Sequence, residues 1–154
     1  MHLRAAHAGE HRLLSEIAYQ AKAHWGYGTA DLDAWHADLT VTRESLLERP
    51  TFVAEVDGTV AGFCQVQLTP PRAELEGLWV LPACMHRGVG RALLAHAVQH
   101  LRRAGVRELH IDADPHAQAF YHAHGATCVG QRSAPIEGEP QRVRPQLMLR
   151  IDAR

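Results

Sequence analysis

The period of the hydrophobic positions changes part-way along the chain. Residues 2–6 predict a short first strand, and from Glu10 onward Leu13, Leu14, Ile17, Ala18 and Ala21 recur at helical spacing. That amphipathic helix is expected to end near His24-Trp25-Gly26-Tyr27. Asp31–Leu39 and Arg43–Arg49 read as two short helices, the second with Thr42 as N-cap and Pro50 as its stop. The texture then changes: the strand-like Thr51–Val56 and Val60–Leu68 flank an Asp57-Gly58 turn as a hairpin. Pro70-Pro71 breaks the chain before a third strand, Ala73–Leu81, which Pro82 ends. Gly88 to Ala104 returns to helical spacing through Val89, Leu93, Leu94, Ala97, Val98 and Leu101, closed by Gly105. Val106–Ala113 reads as a strand and Pro115–His124 as a helix with Gly125 at its end. Cys128–Arg132 and Gln146–Asp152 read as closing strands. The order β, helices, βββ, α, β, α, ββ predicts an α/β domain with a mixed sheet.

Composition narrows this picture. The chain has 154 residues, 46% hydrophobic and 21% charged, with no repeat, low-complexity tract or linker, so one domain over residues 1–154 is expected. The formal net charge of −1 weighs against a nucleic-acid or membrane-surface role, since both need a clustered positive field. Basic residues number 16, and all but Lys22 are arginine. Cys64, Cys84 and Cys128 are odd in number and widely spaced, which points to neither a disulfide framework nor a zinc ribbon. No apolar run reaches the ~20 residues of a membrane helix, and the N-terminal MHLRAAHAGEHRLL lacks a signal-peptide core, so a cytoplasmic location is expected.

The segment after the third strand carries the most chemistry. A strand runs through Val80, a short loop holds His86-Arg87-Gly88-Val89-Gly90, and a helix begins at once. The first amides of a helix have no intrahelical acceptor and sit at the positive end of its macrodipole. Glycine lets the backbone approach an anion closely and take dihedrals closed to other residues, and Arg87 and Arg91 add charge. This is a diphosphate cradle on physical grounds. No Gly-Lys-Ser/Thr follows, and Leu93 stands where a dinucleotide fingerprint has its third glycine. The plain alternative is a Gly-rich β-to-α turn that binds nothing.

At these residues the chain resembles the GNAT acetyltransferase superfamily. That family's coenzyme A motif is Gln/Arg-x-x-Gly-x-Gly/Ala between its fourth strand and the next helix. Met85-His86-Arg87-Gly88-Val89-Gly90 fills the register, with Met85 replacing Gln/Arg. A second block, Asp112 to Ala126, is similar to the family's strand followed by Asn-x-x-Ala-x-x-Phe-Tyr-x-x-x-Gly-Phe. Asp114 falls on the Asn, Ala117 on the Ala, Phe120-Tyr121 on the aromatic pair and Gly125-Ala126 on Gly-Phe. Trp25-Gly26-Tyr27 and the Phe-Val-Ala-Glu-Val-Asp-Gly hairpin extend the likeness to small bacterial members over nearly the whole chain.

The resemblance implies a GNAT fold: a mixed central sheet flanked by helices, with a splayed pair of parallel strands at the coenzyme site. It implies acetyl-CoA as co-substrate, an amine acceptor, and direct transfer in a ternary complex without an acyl-enzyme. The backbone at Leu78, Trp79 and Val80 would pair with the pantetheine arm and polarise the thioester oxygen. Met85, His86, Arg87, Gly88, Val89, Gly90 and Arg91 would hold the diphosphate, with Asp114, Ala117 and Tyr121 as further contacts. Tyr121 is the candidate general acid, a phenol of ordinary pKa about 10 able to protonate the departing thiolate; core packing beside Phe120 is its alternative. Glu74 and Glu76 share a strand face, and Glu76 is the candidate base, against a solvated face or a salt bridge.

Other features read more plainly. His96 with His100, His7 with His11 and His122 with His124 could each share a metal, yet no third ligand is spaced for one, and no metal is expected. Trp25, Tyr27 and Trp35 are either an aromatic wall for the acceptor or ordinary core. Arg142 and Arg144, in a loop before the last strand, could hold an acceptor carboxylate or simply be solvated. Cys84 reads as a small apolar filler. The rival functions are a non-catalytic acyl-CoA-binding sensor and a nucleotide- or phosphate-binding α/β protein. The acceptor is unidentified from the residues, and the resemblance allows a homodimer.

Overall fold

The computed structural model describes residues 1–153. Seven strands are hydrogen-bonded in the order β1-β2-β3-β4-β5-β7-β6. The chain divides into two compact units: Met1–Gln67 with Glu76–Gln99, and Leu68–Leu75 with the residues from His100 onward. No helix among the described residues is long and apolar enough to cross a membrane.

In the first unit, β1 (His2–Ala5) pairs antiparallel with β2 (Thr51–Val56), and β2 with β3 (Thr59–Thr69). Between β1 and β2 lie α1 (His11–Ala23), α2 (Thr29–Ala34), α3 (His36–Leu39) and α4 (Arg43–Glu48). The apolar stripe of α1 does what its period predicts: Leu14, Ile17 and Ala18 pack with Val53, Val60 and Phe63 of the hairpin, joined by Leu39 and Val41. Burying a side chain of this size contributes about 1.5–3 kcal/mol, so this cluster is the first unit's main source of stability. Polar groups at its margin are answered. The Val41 N–H donates to Ser15 Oγ at 2.8 Å, and Gln65, buried, donates to Thr51 Oγ1 at 3.1 Å. Arg4 on β1 reaches Glu10 at 2.9 Å and Glu55 at 3.1 Å. The Arg4 hydrogen bond is the chief reason that Glu10 is held below the usual carboxylate range.

The expected helix over Asp31–Leu39 is broken. Trp35 leaves helical dihedrals (φ −93°, ψ 5°) and packs against the core cluster, so α2 and α3 are separate turns. Tertiary packing of one large ring outweighs the local period. Thr42 caps α4 as its sequence predicts, accepting from the Ser45 N–H at 3.0 Å.

In the second unit, the first part of β4 (Arg72–Val80) runs parallel to β5 (Glu108–Asp112), with Arg72, Ala73 and Glu74 opposite Glu108, Leu109 and His110. β7 (Val143–Arg150) pairs antiparallel with β5 on one side and with β6 (Thr127–Ser133) on the other. α5 (Val89–Arg103), whose residues up to Gln99 belong to the first unit, precedes β5 in the chain, and α6 (Gln118–Ala123) follows β5. The expected helix over Pro115–His124 begins instead as a 3-10 turn at Pro115–Ala117, because the Asp114 side chain accepts from the His116 N–H and closes the chain tightly. The last strand starts earlier than its apolar pattern, at Val143. Pro145 lies inside it, its carbonyl accepting from the Ala113 N–H at 3.0 Å.

Candidate active site

Two glycines inside strands, neither singled out above, set the backbone of β4. A Cβ at Gly62 of β3 would lie 2.6 Å from the Trp79 carbonyl oxygen and 3.2 Å from the Val80 Cα. The hydrogen bond from the Leu81 N–H to the Ala61 oxygen, at 2.8 Å, holds that approach. A Cβ at Gly77 would meet the Trp79 indole at 2.9 Å, so the ring lies back across its own strand. The signal was available: an isolated glycine inside a strand pattern marks a close backbone approach. Leu78, Trp79 and Val80 are accordingly half-buried in the last part of β4.

Pro82–Cys84 then makes one 3-10 turn, and the chain reverses through two left-handed residues, His86 (φ 62°) and Gly88 (φ 81°). Only glycine takes that region freely, so His86 is a strained residue that the sequence pattern did not disclose. A Cβ at Gly88 would meet nothing within 4 Å; its requirement is conformational rather than spatial. Gly90 lies within α5, so of the two motif glycines Gly88 is the one with the unusual dihedral. The first bond of α5 runs from the Ala92 N–H to the Gly88 oxygen at 3.0 Å. The amides of Val89, Gly90 and Arg91 therefore precede the helical ladder. Val89 is buried and anchors the turn, while His86, Arg87, Gly88 and Arg91 are exposed and Met85 is half-buried. Amides that precede the ladder at the positive end of a 15-residue helix, with Arg87 and Arg91 in the same segment, can bind a phosphate or diphosphate.

Glu76, on the same strand, has the Arg49 guanidinium 4.0 Å away, and both side chains are about one-third exposed. Glu74 lies in the other unit and pairs with Arg72 at 3.8 Å. Trp35 and Tyr27 meet edge to face at 4.8 Å, and both enclose the Lys22 ammonium, 4.5 Å from the Trp35 ring and 5.0 Å from Tyr27. The chain's one lysine is thus buried in the aromatic cluster read from sequence as an acceptor wall or core. His96 packs on Phe52 with ring centroids 4.7 Å apart. Burial pushes the Cys64 thiol up to about 12, which removes it as a nucleophile.

In the second unit, Asp114, Ala117 and Tyr121 follow one another through the turn into α6. Asp114 is 8% exposed. It accepts from the His116 N–H at 2.8 Å, lies 3.0 Å from His116 Nδ1 and faces Arg142 at 3.8 Å. Arg142 is itself buried and donates to the Ala134 oxygen at 3.0 Å, so it is neither a loop-end ligand nor a solvated residue but a brace beneath the 134–142 segment. Tyr121 is the buried member of the Phe120-Tyr121 pair, the rings 5.2 Å apart. Asp112 gathers Arg144, Gln146 and Arg132. Burial pushes its carboxyl up, but the hydrogen bonds from Arg144 and Gln146 and the charges of Arg144 and Arg132 outweigh this and hold it below the usual range. Among the described residues no group of three or more His, Cys, Asp or Glu side chains is arranged to hold a metal ion.

The model of the acetyltransferase (GNAT) family matches residues 12–126. The chain belongs to that family. Its solved structural neighbours agree in fold. The PaiA N-acetyltransferase from Thermoplasma acidophilum, in complex with coenzyme A, superposes with a TM-score of 0.78 at 17% identity, over 97% of this chain and 98% of that one. The ribosomal-protein-S18-alanine N-acetyltransferase from Escherichia coli gives 0.75 at 19% identity, over 98% and 94%. YncA from Salmonella typhimurium, with its cofactor acetyl-CoA, gives 0.73 at 24% identity, over 99% and 94%. The mixed sheet and the parallel β4–β5 pair of this GNAT chain are those of the fold that its sequence resembles.

Proposed function

We propose that this chain is an acetyl-CoA-dependent N-acetyltransferase that passes an acetyl group to a primary amine by direct attack in a ternary complex. The observation that carries the reading is the turn at His86 and Gly88, which leaves the Val89, Gly90 and Arg91 amides ahead of the α5 ladder. Those amides, with Arg87 and Arg91, would hold the donor's diphosphate, and Met85 and His86 would border it. Neighbours of the same fold solved with coenzyme A or acetyl-CoA support this choice of ligand. Leu78, Trp79 and Val80 would offer backbone groups to the pantetheine arm, and Asp114 and Ala117 would line it further along. We take residues 1–154 as one catalytic domain, of which the family match covers residues 12–126.

In the reaction the amine nitrogen forms a bond to the thioester carbon and the carbon–sulfur bond breaks. Glu76 takes the amine's proton, directly or through water, and Tyr121 gives one to the thiolate. Backbone N–H groups at the end of β4 would stabilise the oxyanion between these steps. The second reading, an acyl-CoA sensor without turnover, draws on Asp114. Its side chain is a carboxylate engaged with His116 and Arg142 where the family has an amide. A thiol-release assay with acetyl-CoA over a broad amine panel separates the two. Release with at least one amine supports the transferase. Coenzyme A binding with no release from any amine supports the sensor.

A further inference from the structure

Asp112 closes β5, and the strand register sets it opposite Gln146 of β7. Two residues along β7, Arg144 stands opposite Arg132 of β6. Like charges facing each other across a ladder repel, and here one carboxylate lies between them. Asp112 Oδ1 accepts from Arg144 Nε at 2.8 Å and from Gln146 Nε2 at 2.9 Å, and Oδ2 meets Arg132 Nη2 at 2.6 Å. Arg144 Nη2 also donates to the Asp112 backbone oxygen at 2.8 Å. Two guanidiniums therefore share one carboxylate, and the cluster keeps one surplus positive charge. Among the described residues Arg132 has no protein acceptor beyond Asp112, nor has Arg144 Nη1 any. The Arg132 side chain is 61% exposed.

A guanidinium aimed by a carboxylate on one edge presents its remaining N–H groups as a fixed fork, the geometry that recognises a planar two-oxygen anion. Ligands of open α/β sheets gather at the carboxyl ends of parallel strands, and Asp112 is the last residue of the strand parallel to β4. We propose that Arg132 and Arg144, braced by Asp112, form an anion subsite that reads a carboxylate on the acceptor amine. One surplus charge matches a monoanion and leaves a phosphate dianion under-compensated. The inference rests on the N-acetyltransferase reading and narrows its substrate to amines that also carry a carboxylate, amino acids foremost.

The test compares acetylation of each amino acid with that of its carboxamide, each rate referred to the fraction of neutral amine at the assay pH. The kcat/KM ratio of acid to amide is expected to favour the acid at least tenfold, and Arg132→Gln is expected to lower that ratio about tenfold or more. Arg144→Gln should do the same; should its lost bonds to Asp112 disturb the fold, Arg132→Gln, at an exposed strand, keeps the test standing. A wild-type ratio near one, or a ratio that Arg132→Gln leaves alone, overturns the subsite. If coenzyme A binds but no amine is acetylated, the transferase reading fails, and the subsite is judged by calorimetric titration with N-acetylglycine and, separately, inorganic phosphate. Binding of N-acetylglycine that Arg132→Gln weakens about tenfold supports it. No binding, or tighter binding of phosphate, overturns it.

Discussion

The turn into α5 and the strand ends around Asp112 are both charged, polar corners of the molecule, yet they are built by opposite means. At the α5 turn the proposed binding groups are backbone amides, and the residues that shape it are those without side chains or with unusual dihedrals: Gly62, Gly77, His86 and Gly88. Around Asp112 and Asp114 the backbone is ordinary strand and turn. There the chemistry lies in side chains that meet only because β5, β7 and β6 pair in one register. A backbone site is local in sequence and unforgiving of added atoms; a side-chain site is assembled from distant positions and tolerates conservative exchange.

That contrast can be pressed with substitutions. Gly90→Glu places a carboxylate at the open end of α5 and should abolish coenzyme A binding while the circular dichroism of the fold is retained; binding that survives would remove the α5 turn as the donor site. Gly62→Val drives a side chain into the Trp79 carbonyl, 2.6 Å from the first added carbon, and should cost about 3 kcal/mol in denaturant unfolding. Tyr121→Phe should lower kcat about a hundredfold, much more than it lowers coenzyme A affinity, and full turnover in this variant would take Tyr121 out of the mechanism. Gly88→Ala meets no atom within 4 Å and so should cost only the left-handed dihedral, about 1–2 kcal/mol. The smallest effect concerns acid. Glu10 and Asp112 are both held below the usual carboxylate range in the fold. The stability they contribute is therefore complete above an ordinary carboxylate pKa of about 4, and should fall as pH drops through that value to their lower folded ones. A melting temperature that is flat from pH 6 to pH 2 would contradict it.

Legibility in the sequence follows the same division. The β2–β3 hairpin, the amphipathic α1 and the Gly-rich turn are local patterns, and their residues declare them. Thr51–Val56 is found where its strand-like residues and the Asp57-Gly58 turn place it, and Thr42 caps α4 as its type implies. Trp35 shows where local pattern fails: its spacing continues a helix, but its ring is drawn to the core and to the Lys22 ammonium. His86 carries a left-handed dihedral that no residue-type rule assigns to histidine. Arg142 and Arg144 read as equivalent loop residues. Only the pairing of β7 with β5 and β6 makes one a buried partner of Asp114 and the other a ligand of Asp112. Side-chain networks of this kind depend on register between strands far apart in the chain, and register is a property of the folded sheet.

The central claim is that the unbonded amides at the start of α5 grip the donor's diphosphate. Amide chemical shifts followed during titration with coenzyme A test it most directly. The account predicts the largest changes at Val89, Gly90 and Arg91, saturating with the ligand. Saturable binding that leaves those three amides in place and moves others instead would contradict it.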